Sequence, residues 1–186
     1  MRLAPDGWLT PCRRVESPNQ DERPAGEAPT LLVVHSISVP PGEYGGDAIE
    51  RLFTNRLDWD AHPYYQRIRG LQVSSHFVIR RDGELLQFVS CDERAWHAGR
   101  SSWQGRDECN DYSIGIELEG LEGEAFEDAQ YTVLVQLLRA LSRRYPLRAV
   151  AGHEHVAPGR KIDPGPGFDW PRLREALRWR ASRFPV

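Results

Sequence analysis

Two short stretches limit most strongly what this chain can fold into. The segment LLVVHSI, from Leu31 to Ile37, is a continuous apolar run that ends in a histidine and small residues. Such a run is typical of a strand buried in the middle of a sheet. The segment SIGIELEG alternates instead, so that Ile114, Ile116 and Leu118 share one face of a second strand. The core is therefore predicted to form on these two strands.

Local patterns predict the remaining elements. Asp82-Gly83 joins two β-rich runs and is a strong hairpin signal, with residues 81–84 as the exposed tip. Apolar spacing predicts a helix from Asp128 to Tyr145 that Pro146 closes. The other predictions are a helix over 47–57 with Asp47 as N-cap, a helix over 170–184 capped by Asp169 with Pro171 in its first turn, a strand over 148–156, and loops over 59–65 and 94–112.

Strands and helices alternate along the chain and are interrupted by one hairpin. This order predicts an α/β fold with a mixed central sheet flanked by α-helices on its faces. The length of 186 residues fits a single domain, which we place at residues 1–186, with residues 1–30 as an irregular lead-in. In such sheets the chemistry usually lies at strand ends and in the adjoining loops.

The composition argues against several classes of partner. A formal net charge of −3 and a pI near 6.1 provide no overall basic field, so we expect neither nucleic acid nor a membrane surface as partner. The three cysteines are widely spaced and form no CxxC pair, which fits a reducing compartment. No signal-peptide core and no run of ~20 apolar residues is visible, so we expect a soluble cytoplasmic protein that binds its substrate in a cleft.

Three metal-binding side chains fall on separate predicted elements. His35 ends the first buried strand, His153 lies in the strand over 148–156, and Asp163 stands between Ile162 and a proline. Catalytic zinc sites usually take three protein ligands and keep a fourth position for water. The three side chains are therefore candidate zinc ligands, although a histidine at a strand end is often a hydrogen-bonded core residue and Asp before Pro-Gly is a common turn starter.

Four other histidines keep the ligand set open. His155 shares a strand face with His153 if both lie in one strand, so the two could chelate together. His97 and His76 flank the predicted hairpin and the loop that follows it, and His62 lies beside a proline in a predicted loop. The spacing admits several triads and does not choose among them.

Glu117 and Lys161 are candidates for a catalytic role. Glu117 lies on the strand face opposite the isoleucines, where a carboxylate is costly unless it is partnered or used. The alternative is an edge strand with one solvent-exposed face, on which Glu117 and Glu119 would be ordinary surface residues. Lys161 is the only lysine in the chain. Its compact ammonium suits a single developing oxyanion better than the rigid fork of an arginine does, although one surface lysine is also explained by chance.

Five segments together resemble a known family: LLVVHSISVPPGEYGG, SSHFVIRRDGELLQFV, RAWHAGRSSWQGRDECND, SIGIELEG and GHEHVAPGRKIDPGPGFDW. They look like the AmpD family of cytoplasmic zinc amidases, the 1,6-anhydro-N-acetylmuramoyl-L-alanine amidases. The resemblance covers nearly the whole chain and implies the fold of the peptidoglycan recognition proteins and related amidases. It also implies Zn²⁺ as cofactor.

The resemblance selects residues for the site. The family's metal ligands match His35, His153 and Asp163, so the resemblance favours His153 over His155. Its catalytic glutamate, in IGIELEG, matches Glu117.

The family's catalytic lysine, in RKxDPG, matches Lys161, and Trp96 in RAWHAG matches a position near the bound sugar and peptide. The implied reaction is hydrolysis of the amide between the lactyl group of anhydro-muramic acid and L-alanine of a muropeptide. Glu117 would then move the proton and Lys161 would stabilise the oxyanion.

The sequence departs from the family pattern at three positions. Ser36 follows the first ligand where an asparagine is usual, and Gln72 and Glu108 stand where arginines tend to occur. Because these positions resemble substrate contacts, we expect Ser36 to contact substrate. Arg106, with Arg69, is close enough in sequence to replace the missing arginines.

Two alternatives to the recycling amidase remain. One is a binding module of the same fold without catalysis, and the other is an amidase or zinc peptidase acting on polymeric wall. We expect a monomer that binds a soluble anhydro-muropeptide. The content of proline, glycine and aromatic residues between Ser38 and Tyr65 also makes a closing flap a hypothesis.

Overall fold

The structure, a computed structural model, describes residues 1–185, so that Val186 of the predicted domain lies outside the described residues. The strands are β1 (Arg2–Leu3), β2 (Leu9–Thr10), β3 (Arg13–Arg14), β4 (Gln20–Asp21), β5 (Leu31–Ile37), β6 (Phe77–Ile79), β7 (Leu85–Gln87), β8 (Arg94–Ala95), β9 (Ser102–Trp103), β10 (Arg106–Asp107), β11 (Ser113–Glu119) and β12 (Ala149–Gly152). The helices are α1 (Ala48–Phe53), α2 (Pro63–Arg67), α3 (Cys109–Tyr112), α4 (Asp128–Ser142), α5 (His153–Val156) and α6 (Trp170–Leu177), followed by a 3-10 turn at Ala181–Arg183.

The main sheet has six strands in the order β12-β5-β11-β6-β7-β3. Strands β12, β5, β11 and β6 run parallel, whereas β7 is antiparallel to β6 across the predicted hairpin. The predicted α/β fold with a mixed sheet and flanking helices is confirmed. The edge-strand alternative for the SIGIELEG segment is wrong, because β11 pairs with β5 on one side and with β6 on the other.

The two faces of the sheet are covered differently. On one face, Ile114, Ile116 and Leu118 are fully buried in a cluster that includes the apolar residues of α4 and α6. The opposite face is covered by α1 over β6 and β7, and by α3, α5 and the segment around Ala98 over β5 and β12. The space between these two covering groups leaves the carboxyl ends of the parallel strands accessible, where α/β sheets usually bind ligands.

Several predicted boundaries were wrong. Residues Pro63 to Tyr65 were predicted as loop but lie in α2, and the loop over 94–112 contains the β9–β10 hairpin and α3. The strand predicted over 148–156 ends at Gly152, because the chain turns there into α5. The Asp169 cap is confirmed by its bond from the Arg172 amide, whereas Asp47 makes no side-chain cap.

The lead-in over residues 1–30 is not irregular throughout. It contains four two-residue strands, of which β3 extends the main sheet beside β7. Leu9 is buried in the core that α4 covers. Arg23 connects the lead-in to distant parts of the chain, since its guanidinium donates to the carbonyl oxygens of Asn110, Cys91 and Ser113. The lead-in is thus part of the folded domain.

Replacing Arg23 by methionine is expected to lower the free energy of unfolding by about 3 kcal/mol or more, because buried carbonyl groups would lose a charged donor. Burial lowers the pKa of Arg23 to about 10, which leaves it charged at neutral pH. Urea unfolding measures the effect. The exposed Arg2→Met is the matched control and should change stability by less than about 0.5 kcal/mol. Equal effects of the two changes would contradict this reading of Arg23.

Candidate metal centre and catalytic cleft

Three side chains converge at the carboxyl ends of neighbouring strands. His35 lies in β5, His153 is the first residue of α5 directly after β12, and Asp163 lies in the loop that follows α5. The amide of Glu154 donates to the Asp163 carbonyl oxygen at 2.8 Å, which holds this loop against the start of α5. All three side chains are buried. The sheet and one backbone contact therefore place them together.

The donor atoms of these side chains form a nearly equilateral triangle. The Nδ1 atoms of His35 and His153 lie 3.0 Å apart, and each lies 3.1 Å from Asp163 Oδ2. A tetrahedral zinc with bonds of about 2.0–2.1 Å needs donor atoms about 3.3–3.4 Å apart. The triangle is therefore close to what such an ion requires. These two histidines and one aspartate form a group within residues 1–185 that could hold a metal ion.

The far nitrogens of both imidazoles also have partners. His153 Nε2 lies 3.1 Å from the carbonyl oxygen of Ala98, which can only accept, so Nε2 donates and Nδ1 keeps a lone pair. His35 Nε2 lies 3.0 Å from Nδ1 of His97. Hydrogen bonds to the outer nitrogens of this kind orient metal-bound histidines. The arrangement suits neutral imidazole ligands.

The other candidate histidines lie outside the triangle. His155 Nδ1 accepts from the Gly152 amide, and because α5 is helical it does not share a strand face with His153. His76 Nδ1 accepts from the Gly115 amide, and His62 caps α2 through the Tyr64 amide. The prediction that His155 could chelate with His153 on one strand is therefore wrong.

Charge and burial act against each other at the triangle. Burial, the largest influence, and the neighbouring His153 together lower the pKa of His35 to about 4, although Asp163 acts to raise it. Burial also acts to raise the pKa of Asp163, but its contacts with His153 and His35 bring the pKa well below its ordinary value. Asp163 is therefore an anionic donor at neutral pH, beside a neutral His35.

Glu117 and Glu119 lie on the same face of β11 but have different surroundings. Glu119 accepts from Arg80 Nη1, from the Gly45 amide and from the Arg81 amide, so its carboxylate is fully engaged in holding neighbouring loops. Glu117 Oε2 is buried and has no hydrogen-bond partner within residues 1–185, and Oε1 lies 4.0 Å from His35 Nδ1. Of the two glutamates, only Glu117 faces the metal triangle with a free oxygen.

Comparison with known proteins places this site in a family. Residues 25–166 match Amidase_2, the N-acetylmuramoyl-L-alanine amidases. The chain belongs to this amidase family. It is 57% identical over 175 residues to the 1,6-anhydro-N-acetylmuramyl-L-alanine amidase AmpD of Salmonella typhimurium, covering 92% of this chain and 94% of that protein.

Solved structures agree with this assignment. A crystal structure of a selenomethionine AmpD derivative superposes with a TM-score of 0.93 at 55% identity, covering 95% of this chain and 99% of the other. The amidase AmiD of Escherichia coli, solved with the substrate anhydro-N-acetylmuramic acid-L-Ala-D-gamma-Glu-L-Lys, has a TM-score of 0.59 at 30% identity. That match covers 83% of this chain and 60% of AmiD. No helix within residues 1–185 combines the length and hydropathy needed for a membrane span.

The remaining candidate residues of this amidase differ in their position relative to the cleft. Lys161, Trp96 and Ser36 all line the cleft that contains the metal triangle. The buried Ser36 Oγ and Trp96 Nε1 have no hydrogen-bond partner among the described residues. Arg106 does not line this cleft: it pairs with Glu27 at 2.7 Å and lies over an aromatic ring. Its position gives no support to the predicted substrate contact.

The two other positions at which the sequence departs from the family pattern also lie away from the cleft lining. Glu108 is exposed and lies 3.8 Å from Arg94, and Gln72 is exposed. Arg69 pairs with Asp60 on the surface, so it does not replace a missing arginine in the cleft. The cleft lining thus gives no support to the prediction that Arg69 and Arg106 replace the missing arginines.

Sequence reasoning missed an apolar wall of the cleft. Tyr64, Ile68 and Leu71 line it together with Leu52 and Phe53 of α1. The spacing of Tyr64, Ile68 and Leu71 is that of one helical face, but only Tyr64 lies in the segment 59–65 interpreted as a loop, and no element was predicted for the other two. The predicted flap over residues 38–65 includes α1 and the start of α2, and Glu119 holds part of it through Gly45. Closure of this segment over substrate stays a prediction.

Replacing Glu117 by glutamine is expected to stabilise the metal-free protein more at pH 7 than at pH 4.5. Burial, then the charge of Asp163, raises the pKa of Glu117 well above its ordinary value, while Lys161 opposes this. The stabilisation that protonated Glu117 contributes is complete below the pKa that Glu117 has in the unfolded chain. It is lost as the pH rises through the pKa that Glu117 has in the folded protein. Glutamine does not titrate, so the stability gain grows with pH by about 1.4 kcal/mol per unit of pKa displacement.

Urea unfolding of metal-stripped protein at the two pH values measures this gain. The exposed Glu175→Gln is the matched control, and its free energy of unfolding should differ from that of the wild type by the same small amount at both pH values. A Glu117→Gln difference that does not depend on pH would contradict the expected titration.

Proposed function

We propose that this chain is a zinc-dependent amidase that hydrolyses the bond between the lactyl group of 1,6-anhydro-N-acetylmuramic acid and L-alanine of muropeptides, in peptidoglycan recycling. The observation that carries the proposal is the buried His-His-Asp triangle beside the unpartnered Glu117 carboxylate. The name of the Salmonella relative and the substrate solved with AmiD support the choice of substrate. We also propose that the protein is a cytoplasmic monomer that takes a soluble substrate.

Zinc fits the donor set of His35, His153 and Asp163. Two neutral imidazoles and one carboxylate are typical ligands of catalytic zinc, and the outer nitrogens of both imidazoles are engaged. When bound, zinc lowers the pKa of a water and polarises a carbonyl group. The chain's own residues must then hold the substrate and move the protons.

Glu117 is placed to move protons at the scissile bond. Its free Oε2 is buried in the cleft, and its raised pKa brings it nearer the range in which a carboxylate exchanges protons at neutral pH. Glu117 takes a proton from the attacking water and gives one to the departing amine of L-alanine. The geometry requires no covalent enzyme intermediate.

Lys161 supplies the positive charge of the cleft. It lines the cleft close enough to influence the pKa of Glu117, and it has no carboxylate partner within residues 1–185. Its ammonium stabilises the oxygen that becomes negative as water adds to the lactyl carbonyl. The unpartnered Ser36 Oγ and Trp96 Nε1 offer hydrogen bonds to the substrate, and the apolar wall gives the sugar a surface to pack on.

The test is product analysis with the purified protein and three substrates. Soluble anhydro-muropeptide, the same muropeptide without the anhydro ring, and intact sacculi are incubated separately and analysed by mass spectrometry. We expect free stem peptide and free anhydro-sugar, with the highest rate on the soluble anhydro substrate. Tight binding without release would indicate a recognition module, and faster release from sacculi would indicate a polymer-acting amidase.

A further inference from the structure

His97 is a buried imidazole beside the metal triangle for which the proposed mechanism has no use. Its Nδ1 lies 3.0 Å from Nε2 of His35, and its Nε2 lies 3.1 Å from Oγ of Ser113. The three side chains thus form one hydrogen-bonded row that starts at the metal-facing imidazole and ends on β11.

Protons can be arranged along this row in two ways. In the first, Ser113 donates to His97 and His97 donates to His35, which leaves the proton of neutral His35 on Nδ1. That proton would point at His153 Nδ1 and Asp163 Oδ2, where a metal ion would have to bind. In the second, His35 Nε2 donates to His97, and His97 Nε2 donates to Ser113. Only this second arrangement leaves a lone pair on His35 Nδ1 for a metal.

The structure around His97 holds the ring in place. Its ring lies over Gly115, where a Cβ atom would meet three ring atoms at 2.5–2.7 Å. Gly115 has no positive φ that would require glycine, so the space for the ring explains this residue. The amides of His97 and Ala98 both donate to Asn110 Oδ1, at 3.2 and 2.8 Å.

The same short segment serves the second histidine of the triangle. The carbonyl oxygen of Ala98 lies 3.1 Å from His153 Nε2, so residues 97 and 98 contact the outer nitrogens of both imidazoles. Asn110 anchors this segment through two amides. One anchored dipeptide therefore sets the orientation of both rings.

We propose that His97 is a positioning residue of the metal centre, which accepts the Nε2 proton of His35 and so keeps the Nδ1 lone pair of His35 directed at the metal. The inference rests on the proposed zinc site and adds a residue outside the triangle of metal ligands. It also gives Gly115 a function, which is to leave room for the His97 ring.

Zinc dissociation constants, measured by competition with a chromophoric chelator, test the proposal without reference to activity. His97→Leu keeps the bulk but cannot accept a proton, and it should weaken zinc binding by about 10- to 100-fold. His97→Asn places an acceptor oxygen near the position of Nδ1 and should stay within a few-fold of wild type. His62→Leu is the matched control and should leave the affinity unchanged, because His62 caps α2.

Gly115→Ala provides a second route that keeps His97. Its methyl group displaces the ring, so zinc binding should weaken as in His97→Leu. Nitrogen-15 NMR of zinc-loaded wild-type protein needs no variant, and it should show the proton of His35 on Nε2 and that of His97 on Nε2.

Three results would overturn the proposal. They are an unchanged zinc affinity in His97→Leu, an equal loss in His97→Leu and His97→Asn, or a His35 proton found on Nδ1 in the zinc-loaded protein. A wild-type protein that binds no zinc would overturn the metal site as well. A protein that binds zinc through this row but releases no stem peptide would overturn the proposed function and leave the role of His97 supported.

Discussion

Glu117→Gln is expected to reduce kcat on anhydro-muropeptide by about 10²- to 10⁴-fold, the range that general acid–base groups contribute. Glutamine keeps the shape of the side chain and its fit in the cleft but cannot take a proton at neutral pH. Zinc affinity should change little, because Glu117 is not one of the three ligands and its Oε1 lies 4.0 Å from His35 Nδ1. Single-turnover kinetics together with zinc titration separate the two effects.

Glu119→Gln is the matched control for this prediction. It makes the same chemical change on the same face of the same strand, but the Glu119 carboxylate is occupied by Arg80 and by the Gly45 amide. This variant should lose stability through its weakened contact with Arg80 and retain most of its turnover once folded. If Glu119→Gln lowers kcat as much as Glu117→Gln does, the assignment of the proton transfer to Glu117 is wrong.

The two central strands were predictable because their signals are local. The apolar run of β5 and the alternation of Ile114, Ile116 and Leu118 in β11 each report burial directly. Once both strands are parallel neighbours, register places Glu117 opposite His35, and the two side chains share a face. The sequence indicated the two residues separately, and the strand register, which only the fold supplies, makes them neighbours.

The start of α5 was not predictable from its own residues. The segment RAVAGHEHV has the composition of a strand, and it was interpreted as one through Val156. The helix begins at His153 because the Glu154 amide bonds to the carbonyl of Asp163, a partner that only the fold supplies. The error affected the site, since a continued strand would have placed His155 beside His153.

Arg23 and His97 show a second limit. Neither has a local signal, because the carbonyl groups around Arg23 and the row from His35 to Ser113 come from segments far apart in the chain. Spacing alone left His97 open as a further candidate metal ligand. Only the contacts distinguish a residue that holds a ligand in place from the ligand itself.

Asp163→Ala is expected to weaken zinc binding by more than about 100-fold and to remove amidase activity with it. Asp163 Oδ2 supplies one corner of the triangle and its only negative charge, so its loss leaves two imidazoles without an anionic donor. Zinc at 100 times its dissociation constant stabilises the wild type by about 2.7 kcal/mol, and this gain should fall below about 0.4 kcal/mol in the variant at the same concentration. Thermal unfolding with and without zinc measures it.

Glu154→Ala removes a nearby carboxylate outside the triangle and should keep the gain, because the Glu154 amide still bonds to Asp163. If Asp163→Ala keeps both the zinc-dependent stabilisation and the release of stem peptide, the metal lies elsewhere.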